Sequence, residues 1–210
     1  MIAVIDMGIS NIGSVMRALE RIGAPLAEKA TAANLDDAAA VLLPGVGAFG
    51  DGMASLTQQG LIEPLRRIAA AGTPIFGICL GMQLLAETSE EHGHHAGLGL
   101  ISGRVVRLEA TRPGERVPNI GWCDVTPARP SIFFPAGTGG TFYHVHSFRL
   151  AAVDPSVVTA TIEFSGTRIP VAVEQDNLFG VQFHAEKSQD DGLDLLAAFL
   201  AHLRRLGRIN

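Results

Sequence analysis

Three short, almost wholly apolar runs at residues 2–5, 40–43 and 74–78 alternate with stretches where apolar residues return at helical spacing. Runs of four or five residues are too short for helices and read as strands buried on both faces. Ile12, Val15, Met16, Leu19 and Ile22 form a helical stripe that Gly23 would end, and Leu61, Leu65 and Ile68 form another ahead of Gly72. The third run leads directly into residues 82–87, which read as a further helix. Strands that alternate with helices need crossover connections, so this part of the chain predicts a parallel sheet covered by helices on both sides.

Beyond about Gly93 the pattern changes. Short β-type runs at 105–108, 121–125, 141–148, 157–164, 171–174 and 178–183 follow one another, separated by turn residues such as Gly137-Thr138-Gly139-Gly140 and Gln175-Asp176-Asn177. They predict a mostly antiparallel extension of the sheet. Leu193, Leu196, Ala197, Leu200 and Leu203 then mark a last amphipathic helix, with Arg204 and Arg205 near its end. At about 150 residues per domain, 210 residues without repeat or linker predict one α/β domain over residues 1–210, built on a single open mixed sheet.

Composition narrows the function classes. A chain 47% hydrophobic is too apolar for intrinsic disorder. Sixteen Lys and Arg against 21 Asp and Glu give a net charge of −5, which offers no basic footprint for nucleic acid or an anionic membrane. No 18-residue apolar run suggests a membrane span. The first basic residue is Arg17, so the start does not resemble a signal peptide. Two cysteines make no disulfide framework, and the expected compartment is the reducing cytoplasm.

Within this frame, Gly77-Ile78-Cys79-Leu80-Gly81 sits between a buried strand and a helix. It has the spacing of a nucleophile elbow, with cysteine in place of serine. A sharp strand-to-helix turn strains its middle residue and brings backbone so close that flanking Cβ atoms would obstruct it. The turn leaves the thiol at a helix N-terminus, where the helix dipole favours an anion. It also aims the Leu80 N–H at a developing oxyanion. The plain alternative is a small buried core cysteine.

A second feature shifts that balance. The run Gly180-Val181-Gln182-Phe183-His184-Ala185-Glu186-Lys187-Ser188 ends a β-type stretch with His184 and Glu186 two residues apart. On an extended segment such residues face the same way, so Glu186 can orient an imidazole acting as base toward a thiol. An isolated His-x-Glu is usually surface decoration. Beside a cysteine elbow it makes a Cys79–His184–Glu186 constellation, because triads are recognised by role and not by order.

Pro44-Gly45-Val46-Gly47-Ala48-Phe49-Gly50 formally matches the dinucleotide pattern G-x-G-x-x-G. That reading needs an acidic residue about 20 positions on at a strand end, but Glu63 precedes Pro64 in a helical stretch. A loop donating backbone N–H groups to an oxyanion, or a plain tight turn, remains. His92, His94 and His95 cluster in a polar connection without a ligand set, so a solvated loop is expected there and no metal. His144 and His146 alternate along a strand and are expected to pack or line a cleft. Cys123 reads as an inert thiol.

Together these motifs resemble the triad-type (class I) glutamine amidotransferases, and among them the glutaminase subunits that supply ammonia for histidine biosynthesis. Pro44–Phe49, Gly77-Ile78-Cys79-Leu80-Gly81-Met82-Gln83, Gly121-Trp122, Val145-His146-Ser147 and the 180–188 run carry the resemblance, in the family's order along essentially the whole chain. The resemblance implies that Cys79 attacks the side-chain amide of L-glutamine to form a glutamyl thioester. His184, oriented by Glu186, would pass the proton to the leaving ammonia and then activate water. It assigns Leu80 and Gly45-Val46-Gly47 to the oxyanion hole, with a loop that reorients when the partner is engaged. Gln83 and Ser147-Phe148 match positions that hold glutamine, and no cofactor is implied.

The implied partner is a cyclase subunit with a (β/α)₈ barrel that forms imidazole glycerol phosphate and an aminoimidazole carboxamide ribotide. Asn119, Ile120, Trp122, Tyr143 and Lys187 match the face toward that partner. Departures from the family pattern fall at residues 118–123, at residues 143–148, at Ala185 where proline is usual, and at Met7 where tyrosine is common; Asn11 and Ser14 are retained. Two rival readings stand beside this one. A paralogous glutaminase would feed another synthase, such as one aminating surface sugars. A catalytically silent binding protein on the same fold would not need the His and Glu that are present here.

Overall fold

A computed structural model describes residues 1–8, 12–25, 27–135 and 138–210. Asn11 and Gly137 lie outside the described residues. The parallel core forms as the apolar runs predict. Strands β1 (Ile2–Val4), β2 (Ala27–Lys29), β3 (Ala40–Gly45), β4 (Ile75–Cys79) and β13 (Leu178–Val181) run side by side in the order β2-β1-β3-β4-β13, all parallel. The sheet then continues antiparallel through β12 (Thr167–Gln175), β11 (Val158–Phe164), β8 (Asn119–Pro127) and β9 (Gly140–His146).

Residue alternation along the parallel strands explains the two-sided cover. Ile2, Val4, Leu42, Phe76 and Ile78 share one buried cluster with Val15 and Leu19 of α1 (Ile12–Arg21) and with Leu196, Phe199 and Leu203 of α5 (Gln189–Arg205). Their neighbours Ala3, Val41, Leu43 and Ile75 point the other way. There they meet Leu56 of α2 (Phe49–Gln58), Leu65 and Ile68 of α3 (Ile62–Ala70), and Leu80 and Leu84 of α4 (Leu80–Leu84). Each Val, Leu, Ile or Phe among them, once fully buried, stabilises the fold by about 1.5–3 kcal/mol before entropy is counted.

Three details differ from the sequence reading. The stretch before Gly72 is two helices, because Gly60 turns left-handed at φ +65 between α2 and α3. The helix expected at 82–87 ends at Leu84, since residues 86–89 are taken into strand β5 (Ala86–Ser89). That strand belongs to a second sheet of order β10-β7-β5-β6, with β10 (Phe148–Ala151), β7 (Ile101–Arg107) and β6 (His95–Ala96). The extension is therefore split, and the 141–148 run breaks at Ser147, leaving β9 in the large sheet and β10 in the small one. Among the described residues no helix is long and apolar enough to cross a membrane.

Candidate active site

The elbow has the predicted strain. Cys79 ends β4 at φ 55 and ψ −109, a left-handed backbone that a side chain-bearing residue adopts at a cost of about 1–3 kcal/mol. The flanking glycines make the turn possible. A Cβ on Gly81 would lie 1.6 Å from the Leu43 carbonyl oxygen, and one on Gly77 would lie 2.6 Å from the backbone of Gly81 and Met82. Strands β3 and β4 therefore pack against the start of α4 backbone to backbone. Leu80 opens α4, so its N–H belongs to the first turn and has no partner within the helix.

Register brings the other parts to the same edge. Gly45 is paired with Cys79, and Val181 with Ile78, so the loop after β3, the elbow and the segment after β13 leave the sheet side by side. This is the crevice beyond the carboxyl ends of parallel strands, where open α/β sheets bind ligands. Phe183 plugs the last of these segments into the core, stacked on Phe142 at 4.1 Å, with Gln182 and His184 on either side of it in sequence.

His184 and Glu186 meet as expected, by a different local route. Glu186 lies on a 3-10 turn (Ala185–Lys187) and not on an extended segment. Its Oε1 is 2.8 Å from His184 Nδ1, with both side chains at most 4% exposed. A carboxylate only accepts, so Nδ1 carries the hydrogen and Nε2 is the nitrogen left free of that bond. Nε2 is buried without an aligned hydrogen-bond partner, and Cys79 is close enough to act on its protonation. The turn itself is pinned: Tyr143 N–H donates to Ser188 Oγ (3.0 Å), Ser188 Oγ–H to the His184 carbonyl (2.6 Å), and His184 N–H to the Tyr143 carbonyl (2.9 Å).

Burial works against a charge on His184, but hydrogen bonding and charge attraction from Cys79 and Glu186 outweigh it, and the imidazole is pushed up to about 10. His144 and His146 go the other way. Burial, with repulsion from neighbouring imidazoles, pushes His144 down to about 3 and His146 to about 4. One side of the site is thus a neutral histidine pair and the other a cationic imidazole.

Cys79 opens on a cavity of about 280 Å³ lined by Val46, Gly47, Leu80, Gln83, Glu91, Pro118 and residues 145–148. The predicted oxyanion and glutamine-holding residues Val46, Gly47, Leu80, Gln83, Ser147 and Phe148 all line it. Gly45 sits just behind, tight against Met7 and Leu80. Gln83 is locked: its Nε2 donates to the Phe148 carbonyl and to Gln182 Oε1, each at 3.1 Å. Both amide hydrogens are consumed, so only Oε1 of Gln83, an acceptor, is left for a ligand.

Two residues escaped the sequence reading. Glu91 is a buried carboxylate on the cavity wall whose Oε2 accepts the Phe49 N–H at the start of α2 (2.7 Å). It sits in the polar 90–95 connection, where no spacing marks it. Gln182, wholly buried, has its Nε2 3.8 Å from the Cys79 sulfur. The available signal was a carboxamide inside an otherwise apolar run, two residues before His184.

His146 also lines the cavity, and its Nδ1 lies 2.9 Å from the Phe148 carbonyl. His144 is wholly buried behind it. The glycine loop is no dinucleotide site, because Glu63 lies in α3 paired to Arg66 (2.8 Å) and not at a strand end. His92 stands edge-on to Phe148 and His95 lies over Phe49. Among the described residues, no His, Cys, Asp or Glu group is arranged to hold a metal. Cys123 is half-buried, and burial raises its thiol. On β8 beside the cavity mouth, Ile120 and Trp122 are 61% and 47% exposed, and Trp122 meets Tyr143 edge-on at 5.9 Å.

Comparison with known proteins agrees with this geometry. Residues 3–203 match the family described as Glutamine amidotransferase class-I. An imidazole glycerol phosphate synthase subunit HisH from Moorella thermoacetica is 46% identical over 207 residues, covering 98% of this chain and 97% of the relative. Another of that name, from Herpetosiphon aurantiacus, is 44% identical over 196 residues, covering 93% and 91%. Among solved structures, PurLQS from Thermotoga maritima superposes with a TM-score of 0.74 at 23% identity, covering 96% of this chain and 98% of that one. A structure titled as a glutamine amidotransferase gives 0.72 at 19%, covering 94% and 98%. With the elbow, the imidazole–carboxylate pair and the full-length likeness in agreement, this chain belongs to the class-I glutamine amidotransferase family.

Proposed function

We propose that the chain is the glutaminase subunit of an imidazole glycerol phosphate synthase and makes ammonia from L-glutamine by way of a thioester on Cys79. The observation that carries this is a strained, buried cysteine on the wall of a cavity of about 280 Å³, beside an imidazole that a buried carboxylate holds by its far nitrogen. The cysteine sulfur adds to the side-chain amide carbon, and the carbonyl electron pair moves onto oxygen, toward the Leu80 N–H and the Gly45-Val46-Gly47 loop. Protonated His184 gives its proton to the amide nitrogen, which leaves as ammonia when the C–N bond breaks. Neutral His184 then takes a proton from water, whose oxygen attacks the thioester, and the C–S bond breaks to release glutamate.

The cavity wall supports an amino-acid substrate. Its two open acceptors, Gln83 Oε1 and the Glu91 carboxylate, suit an α-ammonium group, while Ser147-Phe148 backbone suits the α-carboxylate. Ammonia is nucleophilic only while unprotonated, so release into water would waste it. A cyclase subunit with a (β/α)₈ barrel, docked over Ile120, Trp122, Tyr143, Asn119 and Lys187, would cover the mouth and receive it. Exposed Gly47, at φ +95, is free to let the oxyanion loop turn when that partner engages.

Co-expression with the cyclase subunit of the same organism tests the reading. Glutamine hydrolysis should depend on the cyclase, and Cys79→Ala should lower it by about four orders of magnitude or more. Complementation of a histidine auxotroph lacking this subunit tests the acceptor: growth is expected, and failure to grow with full glutaminase activity would assign the ammonia to another synthase.

A further inference from the structure

We propose that the carboxamide of Gln182 is a catalytic group that donates a hydrogen bond to the Cys79 sulfur, and that Gln83 is the positioning residue that fixes which end of that carboxamide faces the sulfur. The inference rests on the reading of Cys79 as nucleophile and concerns how its negative charge is held.

The orientation follows from counting hydrogens. The Phe148 carbonyl can only accept, so His146 Nδ1 at 2.9 Å carries a hydrogen, and so does Gln83 Nε2 at 3.1 Å. Gln83 therefore presents its NH₂ to this corner and cannot be flipped, since its oxygen would then face the Phe148 oxygen. The second hydrogen of that NH₂ points at Gln182 Oε1, also 3.1 Å away. That fixes Oε1 of Gln182 as the acceptor and leaves Nε2 toward Cys79 Sγ at 3.8 Å, within the range of an N–H···S bond. Each bond has one donor and one acceptor, and reversing either amide would set like ends against each other. Gln182 is wholly buried and lies outside the cavity lining, so the dry surroundings strengthen its bond to an anion.

The consequence is chemical. The sulfur is most negative before attack and again when the second tetrahedral intermediate breaks its C–S bond and the bonding pair returns to sulfur. In the thioester between these points it is neutral. A donor fixed on the sulfur favours the anion at both ends, which raises resting reactivity and eases release of the acyl group. His184 supplies a mobile proton; Gln182 supplies a hydrogen that stays on nitrogen.

The test follows iodoacetamide alkylation of Cys79 in the assembled complex as a function of pH, read by mass spectrometry of the peptide that carries it. Gln182→Met keeps length and removes the donor. Alkylation is expected to be about tenfold slower near neutral pH, with the wild-type rate recovered in strong alkali, where the thiol ionises without help. Gln83→Met, which leaves Gln182 free to turn, is expected to move the same way by a smaller factor, and it decides the matter if Gln182→Met does not fold. A profile identical to wild type in both variants, or slowing equally at every pH as a blocked path would give, overturns the proposal. Cys79→Ala measured alongside separates the two claims: full glutaminase activity there would remove the nucleophile reading itself.

Discussion

At the residue scale the site sorts its histidines by what surrounds them. His184 has the Glu186 carboxylate on one nitrogen and the Cys79 sulfur near the other, while the charges that His144 and His146 feel are those of neighbouring imidazoles. Because the folded-state value of His184 is raised above about 6.5, the stability it contributes is complete below that pH and is lost as pH climbs toward about 10. For His144 and His146 the folded values are depressed, so their contribution is present above about 6.5 and is lost as pH falls toward 4 and 3. Urea denaturation across pH should therefore show an acid limb steeper than carboxylates alone would give. His146 Nδ1–H is used by Phe148, so its neutral Nε2 must accept, and His144 Nδ1 at 3.2 Å donates to it. His144 Nε2 is left a buried acceptor without a donor, a deficit of about 1–3 kcal/mol. His144→Phe should fit beside Phe183, 5.5 Å away. It is expected to flatten the acid limb and raise the unfolding free energy at pH 5 by about 1 kcal/mol or more; a loss of stability at pH 5 would contradict this assignment of hydrogens.

At the element scale, strand–loop–helix joints place Cys79 and the Gly45-Val46-Gly47 loop side by side, and their glycines make the joints possible. Gly81→Ala would drive a Cβ into the Leu43 carbonyl, so β3 and α4 must separate. We expect a loss of about 3 kcal/mol or more in unfolding free energy, and no stable protein if the margin is smaller; a fully stable variant by calorimetry would refute the tight packing. These joints were legible in the sequence because glycine at fixed spacing around one cysteine has few other physical reasons. Less was legible where tertiary pairing overrode local pattern. Residues 86 and 87 read as the end of a helix but lie in β5, which joins β7, and the apparent single strand over 141–148 turns a corner at Ser147 from one sheet into the other. Glu91 could not be found at all from local signals, since its role comes from a contact 42 residues away with Phe49.

At the scale of the whole molecule, one edge of the sheet gathers Cys79, His184 and the glycine loop, and β8 presents Ile120 and Trp122, which with Leu206 are the large apolar side chains left exposed among the described residues. Ile120→Asp and Trp122→Ala should leave the unfolding midpoint nearly unchanged, because these side chains are about half or more in solvent. The same substitutions should weaken association with the cyclase subunit by tenfold or more in calorimetric titration; unchanged affinity would place the partner elsewhere. Whether Cys79 carries the acyl group is decided by an acid quench of the complex during glutamine turnover, followed by peptide mass spectrometry. A glutamyl adduct is expected on the peptide carrying Cys79, absent without glutamine and absent in Cys79→Ala. Turnover at full rate with no adduct on that peptide in wild type, or with undiminished activity in Cys79→Ala, would contradict it.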